Sequence, residues 1–161
     1  MNEENARLGP YELVRQSPTA FLSKADEARY VAYCLWQARS DPPVGPEFDG
    51  PTEHKSSSSF WGFLRESSLS LELIGKAVFA QRQTGLYEPK PVPGSHNVPQ
   101  LWRMASLPSL PPDQEAILYK AWQILVWAGR YPAPNKDDND LYPEVNRARE
   151  LAAGSQKNKS R

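Results

Sequence analysis

The sequence predicts an all-α fold, an up-and-down bundle of about five helices. Three observations carry that prediction. Apolar residues recur three and four positions apart through long stretches of the chain, the spacing of one helix face. No stretch shows the strict alternation of a half-buried strand. Proline-rich connectors separate the periodic segments, which gives each helix a clear stop.

Each element follows from its residues. Ser17 and Pro18 read as an N-cap followed by proline at the first helical position. Leu22, Ala25, Ala28, Ala32, Leu35 and Trp36 then recur at helical spacing, which predicts a helix over about 18–39. Tyr30, Tyr33 and Cys34 widen its apolar side, so this helix is expected to meet two neighbours. Residues 40–58 hold Pro42, Pro43, Pro46, Pro51, Gly45 and Gly50 and are expected to form a long loop. The serines before Phe60 would cap a second helix over about 59–84, with Gly85 just past its end. Phe60, Phe63, Leu64, Leu71, Ile74 and Val78 share one broad face of that helix, and Leu69, Leu73, Ala77 and Ala80 another. The small residues Ser67, Ser68, Ser70 and Gly75 would let a neighbouring helix approach closely.

A second proline-rich loop spans about 86–95. Ser95 is placed to cap a short helix over about 96–105, with Pro99 in the first turn, where proline is tolerated. Pro111 and Pro112 open a longer helix that runs to about 128, with Asp113 and Glu115 near its positive end. From Ala121 to Ala128 that helix is apolar nearly all round, the mark of a central, buried element. A last amphipathic segment covers about 141–153, and the end near 154–161, with Lys157, Lys159 and Arg161, reads as a solvated tail. The 161 residues fit one domain.

The charge balance narrows the function classes. Nineteen basic and nineteen acidic residues leave no net charge, so a whole-surface attraction for nucleic acid is not expected and any basic site must be local. Cys34 is the sole cysteine, which rules out an intrachain disulfide. The opening residues are polar and acidic, and no apolar run reaches the length of a membrane span. A cytoplasmic protein of bacterial style, with no membrane partner, is expected.

Several common chemistries lack their residues. No glycine-rich phosphate loop follows a strand. His54 and His96 fall on separate loops and form no helical pair, so no metal and no cofactor are expected. No nucleophile elbow surrounds any serine. Asp137, Asp138 and Asp140 read as a solvated acidic run, Asp140 capping the final helix. Glu72 and Lys76 stand out more. They lie four apart with the glutamate first, the favourable order, inside an otherwise apolar stretch. The commoner outcome for such residues is a surface ion pair. The sharper one is a partly buried pair at the working face of the bundle.

Four stretches, taken in order, resemble HEPN domains (higher eukaryotes and prokaryotes nucleotide-binding domains). SPTAFLSKADEARYVAYCLW is similar to their first helix, and SLSLELIGKAVFAQRQTG to their second, with its glutamate, lysine and terminal glycine. SHNVPQLWRMA resembles the segment in which a histidine precedes a pair of leucines. AGRYP resembles the arginine-tyrosine-proline element near the family's C-terminal end. The resemblance implies a bundle of about five helices, often dimeric. It also implies a place among three kinds of member: metal-independent RNases of toxin–antitoxin and defence systems, partners of small nucleotidyltransferases, and non-catalytic nucleotide- or RNA-binding versions. The RNase members carry an arginine followed, after four to six residues, by a histidine. Here the positions that would follow Arg130 hold Asn135, Lys136 and Asp137, and neither His54 nor His96 has the upstream arginine. The resemblance therefore implies binding more than cleavage. Arg130 is the expected phosphate grip and Tyr131 the expected stacking or hydrogen-bonding partner. Lys76, Glu72 and His96 complete the set of candidate ligand-binding residues. The alternative is a divergent endoribonuclease using Arg130, Tyr131 and His96.

Overall fold

The computed structural model describes residues 9–40 and 52–128. The expected helix over 141–153, the tail, and the run from Gly129 to Asp140 lie outside the described residues. The described part is an all-α bundle of five helices, with no strand among the described residues. The helices are α1 (Pro10–Arg15), α2 (Pro18–Ala38), α3 (Thr52–Gln83), α4 (Val98–Met104) and α5 (Pro112–Gln123). A π-helical turn, Ile124–Ala128, continues α5.

Helix α2 starts as its sequence indicates. The Ser17 hydroxyl accepts from the Ala20 N–H at 3.3 Å, and Pro18 occupies the first turn. Helix α3 departs from expectation at its start. It begins at Thr52, seven residues before the anticipated Ser59, so the serine run lies inside a helix of 32 residues. Serine is only a mediocre helix former, and its local preference for a cap yields here to a helix that tertiary packing supports further along. His54 accordingly belongs to the first turn of α3 and not to a loop. Gly85, just past α3, has φ of +82°, the left-handed conformation expected of a residue that ends a helix. The short helix α1 was not foreshadowed by any periodic pattern.

Helices α2 and α3 form the main hairpin. Ser70 donates to the Ala25 carbonyl at 2.9 Å, Leu35 lies against Gly62, and Trp36 stacks near Phe63 with centroids 4.9 Å apart. Positions rise along α2 as they fall along α3, so the two run antiparallel. Ala25, Ala28 and Ala32 are the buried stripe of α2, and their small side chains bring the backbones close enough for the Ser70 hydroxyl to reach across.

The second half of α3 carries α4 and α5. Val98, Leu118, Ala121 and Leu125 form the buried cluster, with Leu69, Leu71, Trp102, Leu110 and Trp122 packed around it. Ala121, Ile124 and Leu125 are buried, as a central position for this helix requires. Leu101 of α4 is buried against Gly75 of α3, where an added Cβ would sit 3.4 Å from the Leu101 Cβ. The glycine thus permits the close approach anticipated for it. Not every residue assigned to an apolar face is covered: Phe60 and Ile74 remain exposed.

Helix α4 ends in a Schellman motif. The Ser106 N–H bonds to the Arg103 carbonyl at 2.9 Å, and the Leu107 N–H to the Trp102 carbonyl at 3.2 Å. Ser106 therefore adopts φ of +48°, where glycine is the usual occupant.

Candidate functional site

The middle of α3 holds a charged network that the fold buries. Glu72 is 2% exposed. One of its carboxylate oxygens accepts from Lys76 Nζ at 2.6 Å, and the other lies 2.9 Å from His96 Nδ1. The more usual outcome for this i, i+4 pair, a surface ion pair, is thus corrected: both side chains are buried. His96, on the segment that leads into α4, reaches Glu72 on this turn of α3.

Local chemistry holds that segment in place. The loop over 86–97 is extended and rich in proline, so its backbone donors need outside acceptors. Gln83, the last residue of α3, accepts from the Lys90 N–H at 2.9 Å. Gln16, just before α2, accepts from the Val92 N–H at 2.9 Å. At the other end, Asn97 caps α4 by accepting from the Gln100 N–H at 2.9 Å. The anticipated cap, Ser95, instead accepts from the Asn97 N–H at 3.0 Å, a turn one step upstream. Val98 and Pro99 are buried and seat the first turn of α4. His96 is held between these anchors. Neither glutamine stood out in the sequence, because an amide that accepts from a distant backbone has no periodic signature.

The arrangement sets the roles of the atoms. A carboxylate only accepts hydrogen bonds. Nδ1 of His96 therefore donates to Glu72, and the tautomer that does so as a neutral imidazole carries its lone pair on Nε2. The His96 side chain is 47% exposed, while Lys76 is spent on Glu72. The network offers a ligand one oriented imidazole edge, backed by a carboxylate and an ammonium whose charges cancel. Unlike the exposed pairs Lys24–Glu27 and Asp26–Arg29, it cannot be exchanged for water without opening the contact between α3 and the loop.

Three of the five sequence-selected residues, Glu72, Lys76 and His96, are thus brought together. Arg130 and Tyr131 lie outside the described residues. The described chain reaches the turn just before them, and its last turn is π-helical, a local distortion that is frequent at functional sites. Among the described residues, no group of three or more His, Cys, Asp or Glu side chains is placed to hold a metal. No described helix is long and apolar enough to cross a membrane. On α2, the exposed Tyr30 phenol is held above its ordinary range, chiefly by a hydrogen bond with Cys34. Comparison with protein-family models, with curated proteins and with solved structures returned no match.

Proposed function

We propose that this chain is a HEPN-like helical domain that binds a nucleotide or RNA through a site built around His96, with Arg130 and Tyr131 as further contacts. One observation supports the reading most. A buried carboxylate, four residues from its lysine and twenty-four from its histidine, holds one nitrogen of an imidazole whose side chain is half exposed. An exposed histidine with no such backing would sample several rotamers and lose entropy on binding. Here that cost falls on folding, and the Nε2 lone pair is presented ready to accept from a ribose hydroxyl or a base N–H. The order of the four family-like stretches supports the same reading, and so does the missing histidine after Arg130, which favours binding over cleavage. A nucleotidyltransferase-type protein partner and a role in a toxin–antitoxin or stress and defence system belong to this proposal. A nucleotidyltransferase encoded beside this chain would favour them.

Binding is tested by titrating single-stranded RNA, structured RNA and mononucleotides with the wild type, His96→Ala and Arg130→Ala. Loss of one good hydrogen bond to the ligand weakens binding about tenfold, the equivalent of about 1.4 kcal/mol. Each variant is expected to show at least that loss. The proposal fails if the wild type binds none of these ligands, or if both variants fold and bind as it does.

A second reading has its own observation. An imidazole oriented by a carboxylate is what a general base requires, and His96 with Glu72 satisfies it. A divergent metal-independent endoribonuclease would use His96 Nε2 to take a proton from a ribose hydroxyl, with Arg130 on the phosphate. Incubating pure protein with RNA in a chelator separates the two readings. Cleavage that disappears in both His96→Ala and Arg130→Ala supports the enzyme.

A further inference from the structure

A cleft separate from the Glu72 network lies between α4 and α5. Helix α4 supplies Pro99 and Trp102 to its lining, α5 supplies Leu118, and the connector between them supplies Leu110. Pro99 and Leu118 are buried, and Trp102 and Leu110 are half-buried against the core. The Trp102 Nε1–H donates to the Pro108 carbonyl at 2.7 Å and ties the connector back to α4. The floor of the cleft is therefore apolar, and it is shaped by packing that the fold already requires.

Three polar side chains reach the same cleft. Arg103 stands in the last turn of α4, Glu115 in the first turn of α5, and Ser109 on the connector. The helix dipoles favour a cation and an anion where these two stand. Arg103 and Glu115 do not pair with each other. Among the described residues, none of the three side chains has a hydrogen-bonding or ionic partner. An apolar cleft on which a few polar groups converge is the usual form of a small-ligand site. Here those groups have opposite charges, so the complementary ligand carries an anion and a cation together with an apolar body.

The volume limits the size of that ligand. The cleft offers about 220 Å³. A cavity of about 150 Å³ accommodates a benzene ring, and drug-sized ligands need about 300 Å³ or more. We propose that the cleft binds a free α-amino acid with a large apolar side chain. Arg103 takes the α-carboxylate through two parallel hydrogen bonds. Glu115 and the Ser109 hydroxyl accept from the α-ammonium. The apolar side chain lies on Pro99, Leu110 and Leu118. A nucleotide suits the cleft poorly, since it is too large and its phosphate would bring negative charge to Glu115. The site shares no residue with the network around Glu72, so it stands or falls apart from the reading above.

The Trp102 indole N–H reports from inside the cleft. Its NMR signal is the one missing from the spectrum of Trp102→Phe. Titrating the full wild-type chain with L-phenylalanine should move that signal saturably, with a Kd on the order of 1 mM for a ligand of about twelve non-hydrogen atoms. L-Phenylalanine amide lacks the carboxylate and N-acetyl-L-phenylalanine lacks the ammonium, and each should bind about tenfold more weakly. Arg103→Gln should lose the preference for phenylalanine over its amide, and Glu115→Gln the preference for phenylalanine over its N-acetyl form. A general disturbance of packing would not remove a different preference in each variant. The wild-type ligand series decides by itself should a variant fail to fold. The inference is overturned if phenylalanine leaves the signal unmoved at about 10 mM, well above the expected Kd. It is overturned equally if the amide and the N-acetyl form bind as well as the amino acid, or if both variants keep the wild-type preferences.

Discussion

Removing Lys76 isolates the cost of the buried network. Lys76→Met keeps most of the side-chain volume and deletes the ammonium. The Glu72 carboxylate then stays in its buried place with only His96 to satisfy it. Breaking a buried ion pair by removing one partner costs about 3–5 kcal/mol. His96 still holds the second carboxylate oxygen, so the lower end, about 3 kcal/mol, is expected. With a urea m-value of about 2 kcal/mol/M, typical of a small domain, the midpoint falls by roughly 1.5 M. That is a large share of a stability of about 5–15 kcal/mol. The double variant Glu72→Met with Lys76→Met gives the decisive comparison. It removes both charges at once, and replacing a buried pair by apolar residues is often neutral or stabilising. It should unfold within about 1 kcal/mol of the wild type, far from the sum of the two single losses. Urea unfolding followed by circular dichroism measures the wild type, Lys76→Met, Glu72→Met and the double variant. The reasoning is refuted if Lys76→Met unfolds within about 0.5 kcal/mol of the wild type, the range of ordinary surface changes, or if the single losses simply add in the double variant. Lys24→Met, which breaks an exposed pair with Glu27, serves as the control and should stay inside that range.

Other sites give independent checks. Ser106→Gly should stabilise the protein by about 1 kcal/mol, because the left-handed backbone at the end of α4 penalises any side chain; an unchanged or lower unfolding midpoint would contradict it. Leu101→Ala should cost about 2–5 kcal/mol, since Leu101 is among the most buried side chains and packs on Gly75; Gly75→Leu, which must displace Leu101, should cost about 1–3 kcal/mol, whereas Gly75→Ala should be nearly neutral by the same unfolding assay. Tyr30 should ionise above the ordinary tyrosine range, and Cys34→Ala should bring its ionisation down; subtracting the alkaline absorbance titration of Tyr30→Phe isolates it. A phenol whose folded pKa is raised adds stability that is fully present below its unfolded pKa and is lost as pH rises through the folded one. The Tyr30–Cys34 contact therefore weakens at alkaline pH and not at acid pH.

How much of this was legible in the sequence depended on the range of the interactions. Ser17 before Pro18, and Gly85 after α3, act within a few residues of themselves, and the chain places both as their chemistry dictates. The three helices with strong three-and-four periodicity, α2, α3 and α5, are present for the same reason. The misjudged features involve competition. The serines before Phe60 favour a cap locally, yet α3 extends through them to Thr52. Ser95 and Asn97 can both cap a helix, and the buried Val98 and Pro99 decide for Asn97 by fixing where α4 begins. Ser106 stands where a Schellman motif prefers glycine, so the end of α4 had no marker in the sequence.

The candidate site shows the same division in sharper form. That Glu72 and Lys76 can pair is a property of one helix and is readable from spacing alone. That Glu72 also meets His96 is not readable in this way, because His96 arrives from beyond the end of α3 on a loop with no periodicity of its own. That loop is fastened by Gln16 from before α2 and Gln83 from the end of α3, and α4 follows it closely onto α3 at Gly75, where there is room for a Cβ but not for a longer side chain. Gly75 lies between Glu72 and Lys76 in sequence. A side chain longer than alanine's there would have to displace Leu101 of α4. One turn of helix therefore carries both the carboxylate that orients His96 and the gap that seats α4.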